Sequence, residues 1–371
     1  MAISKEIITK DFLELSAIDS LSFNERKMAD RLKARLEEMG FNVSEDNAGT
    51  HYDSNAGNLY GFLKGSLPSK PIMFSAHMDT VAPGIGKKAI VDGDIITSDG
   101  TTVLGGDDLT GVIAILRGVE TAIESGEPRR DIEVLFTIGE ELYTKGANVF
   151  DYSKVKANDV YVLDMSGEPG RLALKAPSIV QFTATITGKA AHAGFEPERG
   201  IHAISIASKA IAKMPECKPD DTSTFNIGTI EGGIATNIVP ETCVITGEVR
   251  SFIHENAMKW VREAESIFQA EADAAGGKLE FDVFIAVEAF KISKDADVVR
   301  RYEKACESVG IDPVLTRTFG GSDNNRYSKE GLSGVVMSTG MGNVHSTKEF
   351  CTISYMMKNA EIVSELVRNA D

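Results

Sequence analysis

Apolar residues at Met28, Leu32, Leu36 and Met39 recur at intervals of three and four, so they share one face of a helix that Gly40 is placed to stop. Short runs rich in β-branched and aromatic residues follow at 58–63 and 72–76. The stretch 90–97 reads as two strands turned about Asp92-Gly93. Helical spacing returns over 108–122, with Val112, Leu116 and Val119 facing inward. The runs 132–138 and 160–163 are almost wholly apolar, the pattern of central strands covered on both faces. Strand and helix alternate through this first half, which predicts an α/β sheet.

Near Pro177 the order changes. Strand 179–187, helix 201–214, strands 224–230 and 237–250 joined across Gly232-Gly233, helix 255–275 and strand 278–287 spell β-α-β-β-α-β, a split βαβ unit. That unit is long enough to fold by itself, and it interrupts the first domain. From about Phe290 the α/β alternation resumes: helix 296–309, strand 314–318, strand 332–338 and a terminal helix 353–368. The expected organisation is a first catalytic-type segment over 1–176, an inserted domain over 177–289 and a second segment of the first domain over 290–371.

With 371 residues, 42% of them apolar and 25% charged, the chain has the composition of a globular protein. No apolar run approaches the roughly 18 residues of a membrane span, and the N-terminal residues lack the basic-then-apolar profile of a signal peptide, so a cytoplasmic location is expected. The net charge of −16 disfavours nucleic acid and anionic membranes as partners. Cys217, Cys243, Cys306 and Cys351 show no paired spacing, and four reduced thiols are expected.

Charge then matters locally, where acids and histidines fall at the ends of strands. His77 and Asp79 follow the apolar run 71–74; residues two apart on a strand share a side, so a carboxylate there can orient an imidazole. Asp107 and Asp108 open a helix, where carboxylates also serve as plain caps. Glu140 and Glu141 follow a strand and point in different directions, which lets one ligate while the other moves protons; a solvated surface pair is the simpler alternative. Asp164 ends another strand, where a turn role is common, and His345 lies in a glycine-rich loop. Taken together, two imidazoles and three carboxylates with a spare glutamate make a thiolate-free donor set suited to two borderline divalent ions. Such a pair of ions would acidify a shared solvent oxygen, the nucleophile of a hydrolase.

His77-Met-Asp79, Gly106-Asp107-Asp108, Glu140-Glu141, Asp164, Ala191-His192-Ala-Gly194, Gly320-Gly-Ser-Asp323 and His345 occur in the order found in the co-catalytic zinc metallopeptidases of peptidase T, carboxypeptidase G and aminoacylase, and the chain resembles that family over essentially its whole length. The Asp99-Gly-Thr-Thr and Leu104-Gly-Gly-Asp-Asp108 segments most resemble its peptidase T branch, the tripeptide aminopeptidases, although only 30 positions separate His77 from Asp107 where that branch has a longer insertion. The resemblance implies a mixed-sheet zinc-peptidase catalytic domain with an inserted ferredoxin-like lid domain, and a homodimer formed through the lid. It implies two divalent ions, zinc or else manganese or cobalt, one held by His77, Asp107 and Asp164 and the other by Asp107, Glu141 and His345. It also implies a cis peptide bond between Asp107 and Asp108. Asp79 would orient His77, Glu140 would act as general base on the solvent oxygen between the ions, and His192 would bind the developing oxyanion. Asn237, Arg250, Gly321 and Asp323 would contact or shape the substrate, although His192 as a loop imidazole, Arg250 paired with a nearby acid and Gly320–Asp323 as a plain turn remain simpler alternatives. The implied reaction is hydrolysis of the N-terminal peptide bond of short peptides. A carboxypeptidase or N-acyl-amino-acid hydrolase on the same scaffold is the other possibility. His51, His202 and His254 receive no functional role, and Trp260 is assigned to packing.

Overall fold

The computed structural model describes residues 3–215 and 217–368; the ends of the expected outer segments, 1–2 and 369–371, lie outside these described residues. The chain divides into two compact units, one formed by the residues up to Lys175, Lys291–Thr318 and the chain from Ser322 on, the other by Ala176–Phe290 with Phe319–Gly321.

The first unit is built on an eight-stranded mixed sheet. Its order is Asn42–Glu45, Leu59–Leu63, Ile132–Thr137, Ile72–His77, Asp159–Val162, Ser333–Met337, Arg171–Ala173, Val314–Thr316. The four strands from Ile132–Thr137 to Ser333–Met337 run parallel, and antiparallel pairs flank them. Every residue of Ile72–His77 and Ile132–Thr137 is buried, as their apolar runs predict. The predicted helix is Arg26–Glu38, with Met28, Leu32 and Leu36 buried and Gly40 at φ +89° beyond its end. Gly106–Glu124 packs along the terminal helix Ile353–Arg368, and at Gly118 a Cβ would lie 2.5 Å from the Ala360 carbonyl oxygen, so only glycine permits that approach. A helix over Lys5–Ser16 precedes those predicted. Its buried Ile8, Phe12 and Leu15 are helically spaced, but they make a signal only three residues long. The four-residue strand Asn42–Glu45 and the helix Asp323–Lys329 are also additional to the predicted elements.

The second unit has the order Ser178–Thr187, Ala203–Ile211, Ser223–Gly232, Thr242–Ser251, His254–Ala275, Lys278–Val287, the β-α-β-β-α-β succession read from the sequence. Its sheet runs Ser223–Gly232, Thr242–Ser251, Ser178–Thr187, Lys278–Val287, antiparallel throughout, which is the ferredoxin-like arrangement. Phe182, Phe225 and Phe268 pack in its core, and Phe281 stacks on Phe182 with centroids 5.2 Å apart. The strand predicted from Asn237 begins instead at Thr242, because Pro240 has no N–H for the ladder; Ile238 makes only an isolated bridge with His192. His202 caps the first helix, its Nδ1 accepting from the Ser205 N–H at 3.2 Å. Trp260 packs on the core and donates from Nε1 to Asp220 at 2.8 Å. Phe319–Gly321 belong to this unit through the Arg250 guanidinium, which donates to the Phe319 carbonyl at 2.7 Å, and through Gly321, which lies against Val287 and Ile179.

Among the described residues no helix is long and apolar enough to cross a membrane. Cys243, Cys306 and Cys351 are buried and Cys217 is exposed, all as free thiols.

Candidate active site

His77, Glu140, Glu141 and Asp164 lie at or just after the C-terminal ends of the parallel strands Ile72–His77, Ile132–Thr137 and Asp159–Val162. Asp107 opens the helix Gly106–Glu124, and His345 lies in the loop between the short strands Met341–Gly342 and Phe350–Thr352. His77 is the last residue of Ile72–His77 and is 2% exposed. Its Nε2 lies 3.0 Å from Asp107 Oδ1, while its Nδ1 lies 2.9 Å from the main-chain carbonyl of Asp79 and 3.3 Å from that residue's Oδ1. The nearer partner of the ring is therefore the backbone, and the Asp79 carboxylate has a second task. Its oxygens accept from the Glu140 N–H at 2.9 Å, the Glu141 N–H at 3.3 Å and the Ser22 hydroxyl at 2.7 Å. Asp79 thus ties the strand end to the short 3-10 turn Glu140–Leu142, which leaves Gly139 at φ +57° and Tyr143 at φ +70°.

Asp107 and Asp108 interrupt the start of their helix with non-helical backbone angles, and the peptide bond between them is cis, as the resemblance implied. Asp107 faces both histidines: Oδ1 lies beside His77 and Oδ2 lies 3.3 Å from His345 Nε2. His345 sits in a loop at φ +59°, and its Nε2 is 2.9 Å from Glu141 Oε2. Ligand atoms of His77, Asp107 and Asp164 all lie within 4.8 Å of one another, and so do those of Asp107, Glu141 and His345. The two groups able to hold a metal ion share Asp107. Glu140 belongs to neither.

Electrostatics follows from this crowding. Burial pushes the Glu140 carboxyl well above its ordinary range, and the Asp164 carboxylate adds to the shift; Asp164 is raised by burial and by Asp107. Burial also acts on Asp107, but hydrogen bonds from His345 and His77 outweigh it and hold that carboxyl low. Contact with Asp107 and then with Glu141 pushes the His345 imidazole up to about 10. Acids that resist ionisation beside acids that favour it are the mark of an anionic cluster short of positive charge. Asp108 Oδ1, buried with no hydrogen-bond partner, belongs to the same cluster. The all-nitrogen-and-oxygen donor set and this deficit of positive charge both fit two divalent cations.

Asp323 is 2% exposed at the start of Asp323–Lys329 and accepts from the Thr137 hydroxyl; burial raises its carboxyl to about 6. The remaining residues singled out in the sequence lie in the second unit. His192 is exposed, and its Nδ1 accepts from the Gly194 and Phe195 N–H groups at 3.1 and 3.2 Å, which leaves the ring proton on Nε2 pointing outward as a donor. Asn237 is exposed in a turn, its carbonyl accepting from the Ala193 N–H. Arg250 donates from Nε to Glu248 at 2.6 Å as well as to Phe319, so a nearby acid does pair with it. Three polar groups that no motif announced also support the site: Ser22 on Asp79, Glu25 accepting from the Gly139 N–H at 3.0 Å, and Glu349 beneath Asp107. Ser22 and Glu25 are far from the motifs in the chain, and Glu349, four residues after His345, serves main-chain donors of another segment, so only the folded backbone reveals their roles.

Residues 175–275 match a family of peptidase dimerisation domains, M20_dimer. The chain is 36% identical over 368 residues to the uncharacterized protein YqjE of Bacillus subtilis, covering 99% of each. Aminopeptidase PepT from Bacillus cereus superposes with a TM-score of 0.93 at 35% identity over 98% of both chains. A tripeptidase from Staphylococcus aureus superposes with a TM-score of 0.96 at 33% identity over 99% of both. With its dimerisation domain, its mixed-sheet first unit and relatives matched end to end, this chain belongs to the M20 peptidase family.

Proposed function

We propose that this protein is an aminopeptidase that removes the N-terminal residue of short peptides, tripeptides among them, using two divalent ions, with zinc the first choice. The observation that carries this reading is the pair of three-residue ligand groups sharing Asp107, with the spare carboxylate of Glu140 beside them. Relatives matched over nearly their full length and named as an aminopeptidase and a tripeptidase support it. His77, Asp107 and Asp164 would hold one ion, and Asp107, Glu141 and His345 the other. Ions so held polarise a carbonyl and lower the pKa of nearby water.

The protein's own groups do the rest. A Glu140 oxygen takes the proton from the attacking water and returns it to the leaving amine, a transfer worth typically 10²–10⁴ in rate. Asp79 keeps Glu140 and Glu141 in place through their N–H groups. His192, in this chain or from the partner subunit, donates from Nε2 to the substrate oxygen as negative charge grows on it. Arg250, steadied by Glu248, takes the far carboxylate of the peptide, Asn237 a backbone group, and Gly321 and Asp323 shape the pocket floor. The matched dimerisation domain supports a homodimer formed through the second unit, and cytoplasmic peptide breakdown is the role this reading gives the enzyme.

The test compares a free tripeptide with its N-acetylated form on zinc-loaded protein. Release of the N-terminal residue from the free peptide alone is expected. Preference for the blocked peptide would replace this reading by a carboxypeptidase or N-acyl-amino-acid hydrolase.

A further inference from the structure

The carboxylate of Glu349 is buried, its residue only 1% exposed, and no part of the proposed reaction uses it. Its Oε2 accepts from the N–H groups of Leu104 at 2.7 Å and Gly105 at 2.9 Å, and its Oε1 from the N–H of Asp107 at 3.0 Å. Three main-chain donors of one loop therefore converge on a single side chain. They need it, because the backbone at Asp107 and Asp108 is non-helical and the N–H groups at this helix start have no partner within the helix. Gly105 stands at φ +78°, and a Cβ on Gly106 would fall 2.3 Å from Cys351 Sγ and 3.1 Å from Glu349 Oε1, so the loop lies directly on the segment that carries Glu349. That segment is anchored in turn, since the Glu349 carbonyl accepts from the Ser98 N–H and its own N–H donates to the Ser346 carbonyl. Four residues earlier it presents His345 to the Asp107 carboxylate. One short stretch thus grips Asp107 at both its main chain and its side chain.

We infer that Glu349 is a positioning residue: it fixes the Asp107 backbone so that the two oxygens of that carboxylate face the two ligand groups at once. This rests on the proposed ligation. Glu349→Gln is the discriminating variant. Its single amide oxygen can still accept from Leu104 and Gly105, but its amide nitrogen then confronts the Asp107 N–H, donor against donor. The lost hydrogen bond is the one at Asp107.

Metal-free wild type and Glu349→Gln are titrated with zinc by calorimetry, and the loaded proteins are assayed on a tripeptide. Wild type is expected to take two ions. The variant should bind at least one of them about 10- to 100-fold more weakly, the usual cost of losing a group that orients a ligand, with kcat reduced and KM within twofold. Two ions bound by the variant within twofold of wild type would overturn the inference while leaving the proposed function standing. A wild type that binds no pair of ions would overturn both. Amide exchange on metal-free wild type decides the matter even if the variant does not fold: peptides covering 104–107 should be protected without metal, and exchange there at the rate of an open loop would overturn the role given to Glu349.

Discussion

Asp79→Ala should disable the site while leaving His77 in place. Truncation removes the acceptor for the Glu140 N–H, the Glu141 N–H and the Ser22 hydroxyl. Hydrogen bonds to a charged group contribute about 1.5–3 kcal/mol each, so three sum to roughly 4.5–9 kcal/mol, of which water entering the space returns a part. A net loss of about 3–5 kcal/mol, concentrated on the turn Glu140–Leu142, is the working figure. The His77 ring keeps the Asp79 carbonyl at 2.9 Å, because that acceptor is main chain. Damage should therefore fall on Glu141 as a ligand and on Glu140 as a base. The expected result is a fall in kcat of about 10²–10³, with the ion held by Glu141 and His345 weakened by about 10- to 100-fold and the other weakened less. Asp79→Asn loses one bond, at Glu141 or at Glu140, and should cost about 1.5–3 kcal/mol. The assays are tripeptide hydrolysis, zinc titration followed by calorimetry, and urea unfolding. If Asp79→Ala keeps kcat within threefold and holds both ions as wild type does, the Asp79 carboxylate does not support the turn.

Two further outcomes follow from the packing and electrostatics. Phe182 is 2% exposed among Phe225, Phe268 and Phe281, so Phe182→Ala should destabilise the second unit by about 3–5 kcal/mol, read by urea unfolding; a loss below 1 kcal/mol would mean the cluster is not its core. Burial, and then the Asp79 charge, raises the Glu25 carboxyl to about 7. Stability from this group is complete below its unfolded value of about 4.5 and is lost as pH rises through about 7. Glu25→Gln keeps an oxygen for the Phe23 and Gly139 N–H groups, so its stability relative to wild type should rise between pH 5 and 8 by denaturant titration; a difference independent of pH would refute the shift.

Much of this architecture was legible because the signals were strong and local. The buried strands around His77 and Glu140 are almost unbroken apolar runs, and the acids at their ends stand out against them. The β-α-β-β-α-β order of the second unit was readable from periodicity, since each of its six elements runs for nine residues or more. Elements of three or four residues, such as Arg171–Ala173 and Asn42–Glu45, carry too few positions to show a period, and the sheet around them supplies their order. The sequence placed the Asp79 carboxylate beside His77, where its Oδ1 lies 3.3 Å from Nδ1, but it did not show that the same carboxylate also holds the turn at Glu140. Side-chain direction along a strand can be inferred from alternation, but the N–H groups of the turn at Glu140 and Glu141 reach Asp79 only after the sheet has assembled. Glu349 and Glu25 escaped notice on the same ground: each serves main-chain donors, and main-chain donors have no sequence signature.

The most direct test is metal content measured together with turnover for Glu140→Gln. Two ions per chain and a loss of about 10²–10⁴ in kcat on a free tripeptide are predicted, because the substitution removes the group that moves the proton and none of the proposed ligands. A variant that turns over as fast as wild type, or one whose lost activity is explained by lost metal, would contradict the account.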